Sequence, residues 1–253
     1  MTLHYRVLGK GAPLVILHGL FGSSDNWQSQ AKKLAEFYTV YSVDLRNHGH
    51  SFWSPAHTYV LMAEDVHRLF EELNLKKIIL LGHSMGAKVA MTLAQQHPTL
   101  LDKLILVDMG IKEYPMHHQH ILAGIHGLNL ATYKTRGEAE HDLEKYIDNQ
   151  SVRQFLLKNL YWKSKGELAW RMNVRSLEDN LLEILRPLPN QVVLTNTLFI
   201  RGELSNYILD EDIPEIENVF PDSEFETILG AGHWVHAEAQ EEFIQLVLGF
   251  CLR

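Results

Sequence analysis

A single cysteine, Cys251, excludes any disulfide within the chain and fits a reducing compartment. Long apolar runs are missing too: none approaches the ~18 residues of a membrane span. The opening MTLHYRVLGKG lacks a basic stretch followed by roughly 7–15 apolar residues, so no signal peptide is expected and the expected location is the cytoplasm. Positive charge is in short supply, with 23 Lys+Arg against 31 Asp+Glu and a formal net charge of -8. Such a surface disfavours phosphate backbones, so no nucleic-acid partner is expected. The sequence has no internal repeat and no low-complexity tract. The histidines show no zinc-type spacing, and neither a metal nor a cofactor is expected.

What is present is an ordinary globular composition, 46% hydrophobic over 253 residues, enough for one large core or a core with a small added domain. PLVILHG (Pro13–Gly19), VYSVD (Val40–Asp44), KIILLGH (Lys77–His83), LILVD (Leu104–Asp108) and TLFIRG (Thr197–Gly202) read as strands buried on both faces. Helical patterns lie between them at Trp27–Tyr38, Tyr59–Leu73 and Met85–His97, the last stopped by Pro98. This alternation predicts an α/β fold with a mostly parallel sheet and helices on both faces. From about Ile111 to Asn190 the pattern turns helical, with no fully apolar strand-like run. Alternation then resumes with a helix near Glu211–Val219, the run SEFETIL and a last helix over about Ala237–Leu252. The reading is a core over 1–110 and 191–253, interrupted by a helical cap over 111–190.

GHSMG places Ser84 between Gly82 and Gly86. Three fixed letters of this kind arise by chance in roughly one protein in ten of this length. Here, however, they follow a buried strand and open a helix, the setting of a nucleophile elbow. Gly82 and Gly86 remove side chains that would clash in the tight turn, Ala87 and Ala90 let the helix approach the sheet, and the helix N-terminus favours negative charge beside Ser84. Among 15 histidines, His233 in GAGHWVHAEA follows the last predicted strand and can reach the same sheet edge. His236, three residues on, is the competitor, with a packing or capping role as its ordinary function. Two backbone N–H groups are needed for an oxyanion: Met85 after the nucleophile, and Leu20 in HGLFGSSDNW, with Phe21 beside it.

The acid is ambiguous. After TLFIRG the chain reads ELSNYILDED, so an aspartate two places after Gly202 is missing; Glu203 is one candidate, while Asp210 and Asp212 look like first-turn helix charges. Asp108 ends LILVD at the carboxyl edge, one strand after the nucleophile, where it could hold an imidazole tautomer. Its plain alternative is a helix cap at the mouth of the insertion. Asp108 is preferred.

HGLFGSSDNW, DLRNHGHS, GHSMGAK and GAGHWVHAEA together resemble the α/β-hydrolase superfamily, and most closely its small YbfF-like esterases, over nearly the whole chain except the insertion. The resemblance implies a Ser-Asp-His hydrolase of acyl esters or thioesters, Ser84, Asp108 and His233 in this sequence, with a helical cap over the pocket. Members similar to this chain take their acid from the end of the strand after the nucleophile helix, which corresponds to Asp108.

Weaker features have plainer readings. MHHQH (Met116–His120) reads as a solvated patch, and Arg46, Asn47 and Gly49 as loop-stabilising residues. Phe21, Tyr161, Trp162 and Trp234 are candidate substrate contacts, with Trp170 weighed beside them, although aromatics in the insertion could equally form its own core. Lys158, Lys163, Lys165, Arg171 and Arg175 make the insertion locally basic: a solvated face, or a lure for an anionic leaving group such as coenzyme A. The expected partner is a small-molecule ester or thioester, acting on a monomer or homodimer. Alternatives on the same scaffold are cofactor-free haloperoxidase, C–C hydrolase or aminopeptidase chemistry, or a non-catalytic binding protein.

Overall fold

The computed structural model describes residues 1–116 and 118–253. Its centre is a seven-stranded sheet of β1 (Tyr5–Leu8), β2 (Pro13–Leu17), β3 (Thr39–Val43), β4 (Ile78–His83), β5 (Leu101–Val107), β8 (Thr197–Gly202) and β9 (Ser223–Ile228). The spatial order is β1-β3-β2-β4-β5-β8-β9; β1 is antiparallel to β3 and every other pair is parallel. Alternate side chains of a strand face opposite ways, and here both ways are apolar. Val15, Leu17, Ile78 and Leu80 join one core with α2 (Tyr59–Glu72) and α3 (Met85–Gln96). Leu14, Ile16, Ile79 and Leu81 join the other with α1 (Gln28–Leu34) and α11 (Gln240–Cys251). This is why the strands read as continuous apolar runs.

Two expectations change at the edges of elements, and one strand is added: β1, a largely exposed edge strand with no run of buried aliphatics to mark it. The helix expected over Trp27–Tyr38 shrinks to α1, with Trp27 ending a 3-10 turn before it. The last helix is broken at Ala239 into α10 (Val235–Glu238) and α11.

Between β5 and β8 lie α4 (Gln119–Gly127), α5 (Arg136–Leu143), α6 (Gln150–Leu157), β6 (Leu160–Ser164), β7 (Glu167–Trp170), α7 (Val174–Asp179) and α8 (Leu181–Leu185). The β6–β7 hairpin adds two strands to an insertion read as mainly helical; they are too short and too exposed to show an apolar run. Where the insertion leaves and rejoins the core, the two chain segments bond to each other: Leu188 N–H donates to Ile111 O (2.7 Å) and Tyr114 N–H to Leu185 O (3.0 Å). Lys88 of α3, fully buried, closes the same neck, its Nζ donating to Lys112 O (2.9 Å) on one segment and to Arg186 O on the other. Burial pulls its pKa down to about 7. After α9 (Ile213–Val219) the chain returns through β9. Among the described residues no helix is long and apolar enough to cross a membrane.

Candidate active site

Ser84 follows β4 and precedes α3 with φ 53° and ψ -118°, a left-handed backbone that only a tightly packed turn sustains in a non-glycine residue. The packing is of backbone on backbone. A Cβ on Gly82 would stand 2.3 Å from Gly86 O, and one on Gly86 would stand 2.4 Å from Leu17 O. The Ser84 N–H donates to Val107 O (3.0 Å), tying the turn to the end of β5.

His233 lies on the loop between β9 and α10, its Nε2 3.0 Å from Ser84 Oγ and its Nδ1 2.7 Å from Asp108 Oδ2. Asp108, fully buried just after β5, also has a left-handed backbone (φ 47°). Its carboxylate accepts bonds from Gly202 N–H (3.2 Å) and the Ser205 hydroxyl as well as facing His233. Ser205 stands two places beyond the only other acid candidate on that loop, Glu203. That side chain instead accepts from Gly230 N–H (2.8 Å). Tyr207 stacks on the His233 ring (3.9 Å, 16°). His83 donates from Nε2 to His233 O (2.9 Å); burial, then the charges of His236 and His233, hold its pKa well below that of a free histidine. His236 is buried and stacked on Trp27 (4.1 Å, 11°), a packing position away from Ser84.

The loop after β2 is fixed by two more histidines. His18 Nδ1 lies 2.8 Å from Gly19 O and its Nε2 accepts from Leu45 N–H (3.0 Å), so the proton sits on Nδ1 and the ring is neutral. His48 is constrained alike, Nδ1 donating to Arg46 O (3.0 Å) and Nε2 accepting from Phe21 N–H (3.2 Å). Burial lowers the pKa of both. The consequence concerns Leu20. Its N–H shares a trans peptide plane with Gly19 O, and that oxygen is turned inward by His18 and by Gly22 N–H (3.0 Å). The Leu20 N–H is thereby turned the opposite way, and among the described residues it has no acceptor. Phe21 N–H is already engaged. Met85 N–H, first in α3, has no intrahelical acceptor. Phe21 itself (φ 59°) is held from its other side by Asn159 Nδ2, which donates to Phe21 O (2.6 Å) from the insertion.

Ser84 and His233 open on a cavity of about 210 Å³, walled by Leu20, Phe21, Ile121, Val152, Phe155 and Trp234 among others. Of the expected substrate contacts, Phe21 and Trp234 line it, whereas Tyr161 and Trp162 do not. These two stand on β6, where Tyr161 lies under the Arg171 guanidinium (4.5 Å) and Trp162 is 42% exposed. In the MHHQH patch, read as solvated, Met116 and His120 are exposed and His118 is partly buried; His118 and His120 also line the cavity, and His117 lies outside the described residues. Among the described residues no group of three or more His, Cys, Asp or Glu could hold a metal ion. Arg46 bonds Asp65 (2.5 Å), Asn47 Oδ1 accepts from Ser54 N–H (2.7 Å), and Gly49 turns with φ 55°. Ser205, Tyr207, His18, His48 and Asn159 carry no motif letter of their own; only HG and NHG marked two of them.

A family model described as the alpha/beta hydrolase fold matches residues 12–128. The chain is 39% identical to the sn-1-specific diacylglycerol lipase ABHD11 of Danio rerio, over 99% of this chain and 82% of that protein. It is 33% identical to Esterase YbfF of Escherichia coli, over 93% and 91%. A solved structure of a marine microorganism esterase superposes with TM-score 0.95 at 41% identity, covering 99% of both chains.

Proposed function

The chain belongs to the α/β-hydrolase family, and on that footing we propose that it hydrolyses carboxylic esters or thioesters of small molecules through an acyl-enzyme. The observation that carries this reading is the unbroken line from Asp108 through His233 to Ser84, at 2.7 and 3.0 Å, ending at the wall of an apolar cavity. Ser84 Oγ attacks the ester carbonyl while His233 Nε2 takes its proton. Asp108, a buried acceptor, keeps the other imidazole proton on Nδ1 and stabilises the imidazolium. The carbonyl oxygen becomes an oxyanion facing the unengaged N–H groups of Leu20 and Met85, each worth roughly 10²–10³ in rate. His233 then protonates the departing alkoxide or thiolate, and water, activated by the same imidazole, frees the acid. In this reading residues 111–190 form a cap whose α4 and α6 roof the cavity, and 1–110 with 191–253 form the core.

The test is labelling by a fluorophosphonate probe together with hydrolysis of p-nitrophenyl esters of increasing chain length. Ser84→Ala is expected to abolish both. Hydrolysis that persists unchanged in Ser84→Ala refutes the mechanism.

A further inference from the structure

Two cavities meet at one pair of aromatic rings. Phe155 and Trp234, with ring centroids 5.8 Å apart, line both the cavity at Ser84 and a second one of about 410 Å³. The two differ in chemistry. Beyond Ser84 and the histidines, the first is walled mainly by aliphatic and aromatic side chains. The second is walled by Gln150, Ser151, Gln154 and Lys158 on one side and by His236 and Glu238 on another.

An ester has two arms, and His233 decides which arm goes where. The imidazole that accepts the Ser84 proton returns it to the departing oxygen, so that oxygen lies on the His233 side of the carbonyl. The second cavity is built in part from the residues that follow His233, namely Trp234, His236, Ala237 and Glu238. The leaving arm is thus directed past Trp234 into the second cavity, and the acyl arm is left with Phe21, Ile121 and Val152 in the first.

The charges narrow the class of that arm. Of the five basic residues noted in the insertion, Lys163 pairs with Glu167 (3.1 Å), Arg175 with Asp179 (3.7 Å), and Arg171 lies over Tyr161. Lys158 is the member of that group that lines the cavity, and it has no ion-pair partner among the described residues. Glu238, the acid on the same wall, is turned to accept Gly232 N–H (2.5 Å). His236, 3% exposed, is stacked on Trp27 and offers this wall little accessible surface. We propose that the second cavity holds the leaving arm of the ester and that Lys158 pairs there with an anionic group carried by that arm. The proposal rests on the reading of Ser84 as the nucleophile.

Two butanoate esters of equal length test it, one with a pentyl alcohol arm and one whose alcohol arm ends in a carboxylate at the same position. A third arm ends there in a hydroxyl, and p-nitrophenyl butanoate reports the Ser84 chemistry alone. The full-length chain is expected to favour the carboxylate arm over the pentyl arm by about five- to tenfold in kcat/KM, through KM, as a partly exposed ion pair allows. Lys158→Ala brings the ratio to about one, Lys158→Arg restores it, and Lys158→Glu inverts it. A wild-type ratio of one, a ratio that Lys158→Ala leaves intact, or a hydroxyl arm as good as the carboxylate overturns the pairing while p-nitrophenyl hydrolysis upholds Ser84. No hydrolysis of any of the four esters overturns both.

Discussion

The core edge and the cap face the same cavity but are built by different physics. At the core edge Phe21, Ser84 and Asp108 sit one or a few residues past the ends of parallel strands, on left-handed backbones. Ladder neighbours hold that strain: Ser84 N–H on Val107 O and Asp108 N–H on Ile200 O (2.8 Å). The insertion, proposed as a cap, is made of the β6–β7 hairpin and helices of nine residues or fewer. Several are started by a side-chain cap, Thr135, Asn149 or Asn173. Angular precision therefore comes from the sheet, and cavity shape from short pieces whose positions depend on a few polar ties. The two regions should fail differently when cut.

The largest separation is expected at the acid. Asp108→Asn keeps the volume and removes the carboxylate that fixes the His233 tautomer, so kcat should fall on the order of 10⁴-fold, with Ser84 still labelled slowly by fluorophosphonate. Glu203→Gln, on a side chain bound only to Gly230 N–H, should stay within about twofold. A large loss in Glu203→Gln with none in Asp108→Asn would reverse the assignment.

The neck between the regions comes next. Lys88→Met fills the same space but leaves the carbonyls of Lys112 and Arg186 without their donor. Unpaired buried acceptors of this kind cost about 3 kcal/mol together, read as a lower urea midpoint. Because the tie joins both ends of the insertion, limited proteolysis near 112 and 186 should speed up more than cleavage elsewhere. Uniform susceptibility would show that Lys88 supports the core and not the neck.

A smaller effect belongs to two histidines of the core chain segments. His57 and His236 are held neutral, both with pKa values lowered to about 3: burial acts first, then Arg46 on His57, and His233 followed by Lys158 on His236. Their folded pKa lies below the unfolded value, so between about pH 6.5 and 3 the unfolded chain binds protons that the folded chain refuses. Stability present above pH 6.5 is lost as the pH falls, on the order of 2 kcal/mol for each ring at pH 5. His236→Phe, which keeps a ring on Trp27, should flatten the drop in urea midpoint between pH 7 and pH 5. An equally steep drop in that variant would assign the acid sensitivity elsewhere.

The same contrast explains what could be read from the residues alone. Strands buried on both faces write themselves as aliphatic runs, and glycines forced by backbone contact mark the elbow, so β2, β4, β5 and β8 and the positions of Ser84 and His233 were legible. Asp108 was legible only as one of two choices; the Ser205 hydroxyl that its carboxylate accepts from is distant in sequence and has no motif. In the insertion the pattern shows the helices but misses the β6–β7 hairpin, whose strands are too short and too exposed to show a run. Tyr161 and Trp162 read evenly as pocket or insertion core; on the β6–β7 hairpin neither lines the cavity. His118 and His120 read only as part of a solvated patch; His120 is indeed exposed, but both also line the cavity, which no pattern signals.

The smallest effect tests whether the two regions act on one another. Asn159 sits at the end of α6 beside Lys158, but its Nδ2 grips Phe21 O across 138 residues and so bears on the loop that presents Leu20 N–H. Losing that grip leaves Phe21 free to relax from φ 59°, which misplaces an oxyanion donor more than it disturbs the ester in its ground state. Asn159→Ala should therefore lower kcat by about tenfold with KM within twofold, the signature of an interaction made in the transition state. Trp162→Ala, three residues away on the same segment and clear of the cavity, should change neither constant by more than about twofold. If Asn159→Ala instead raises KM at constant kcat, the cap shapes the pocket without reaching the oxyanion loop.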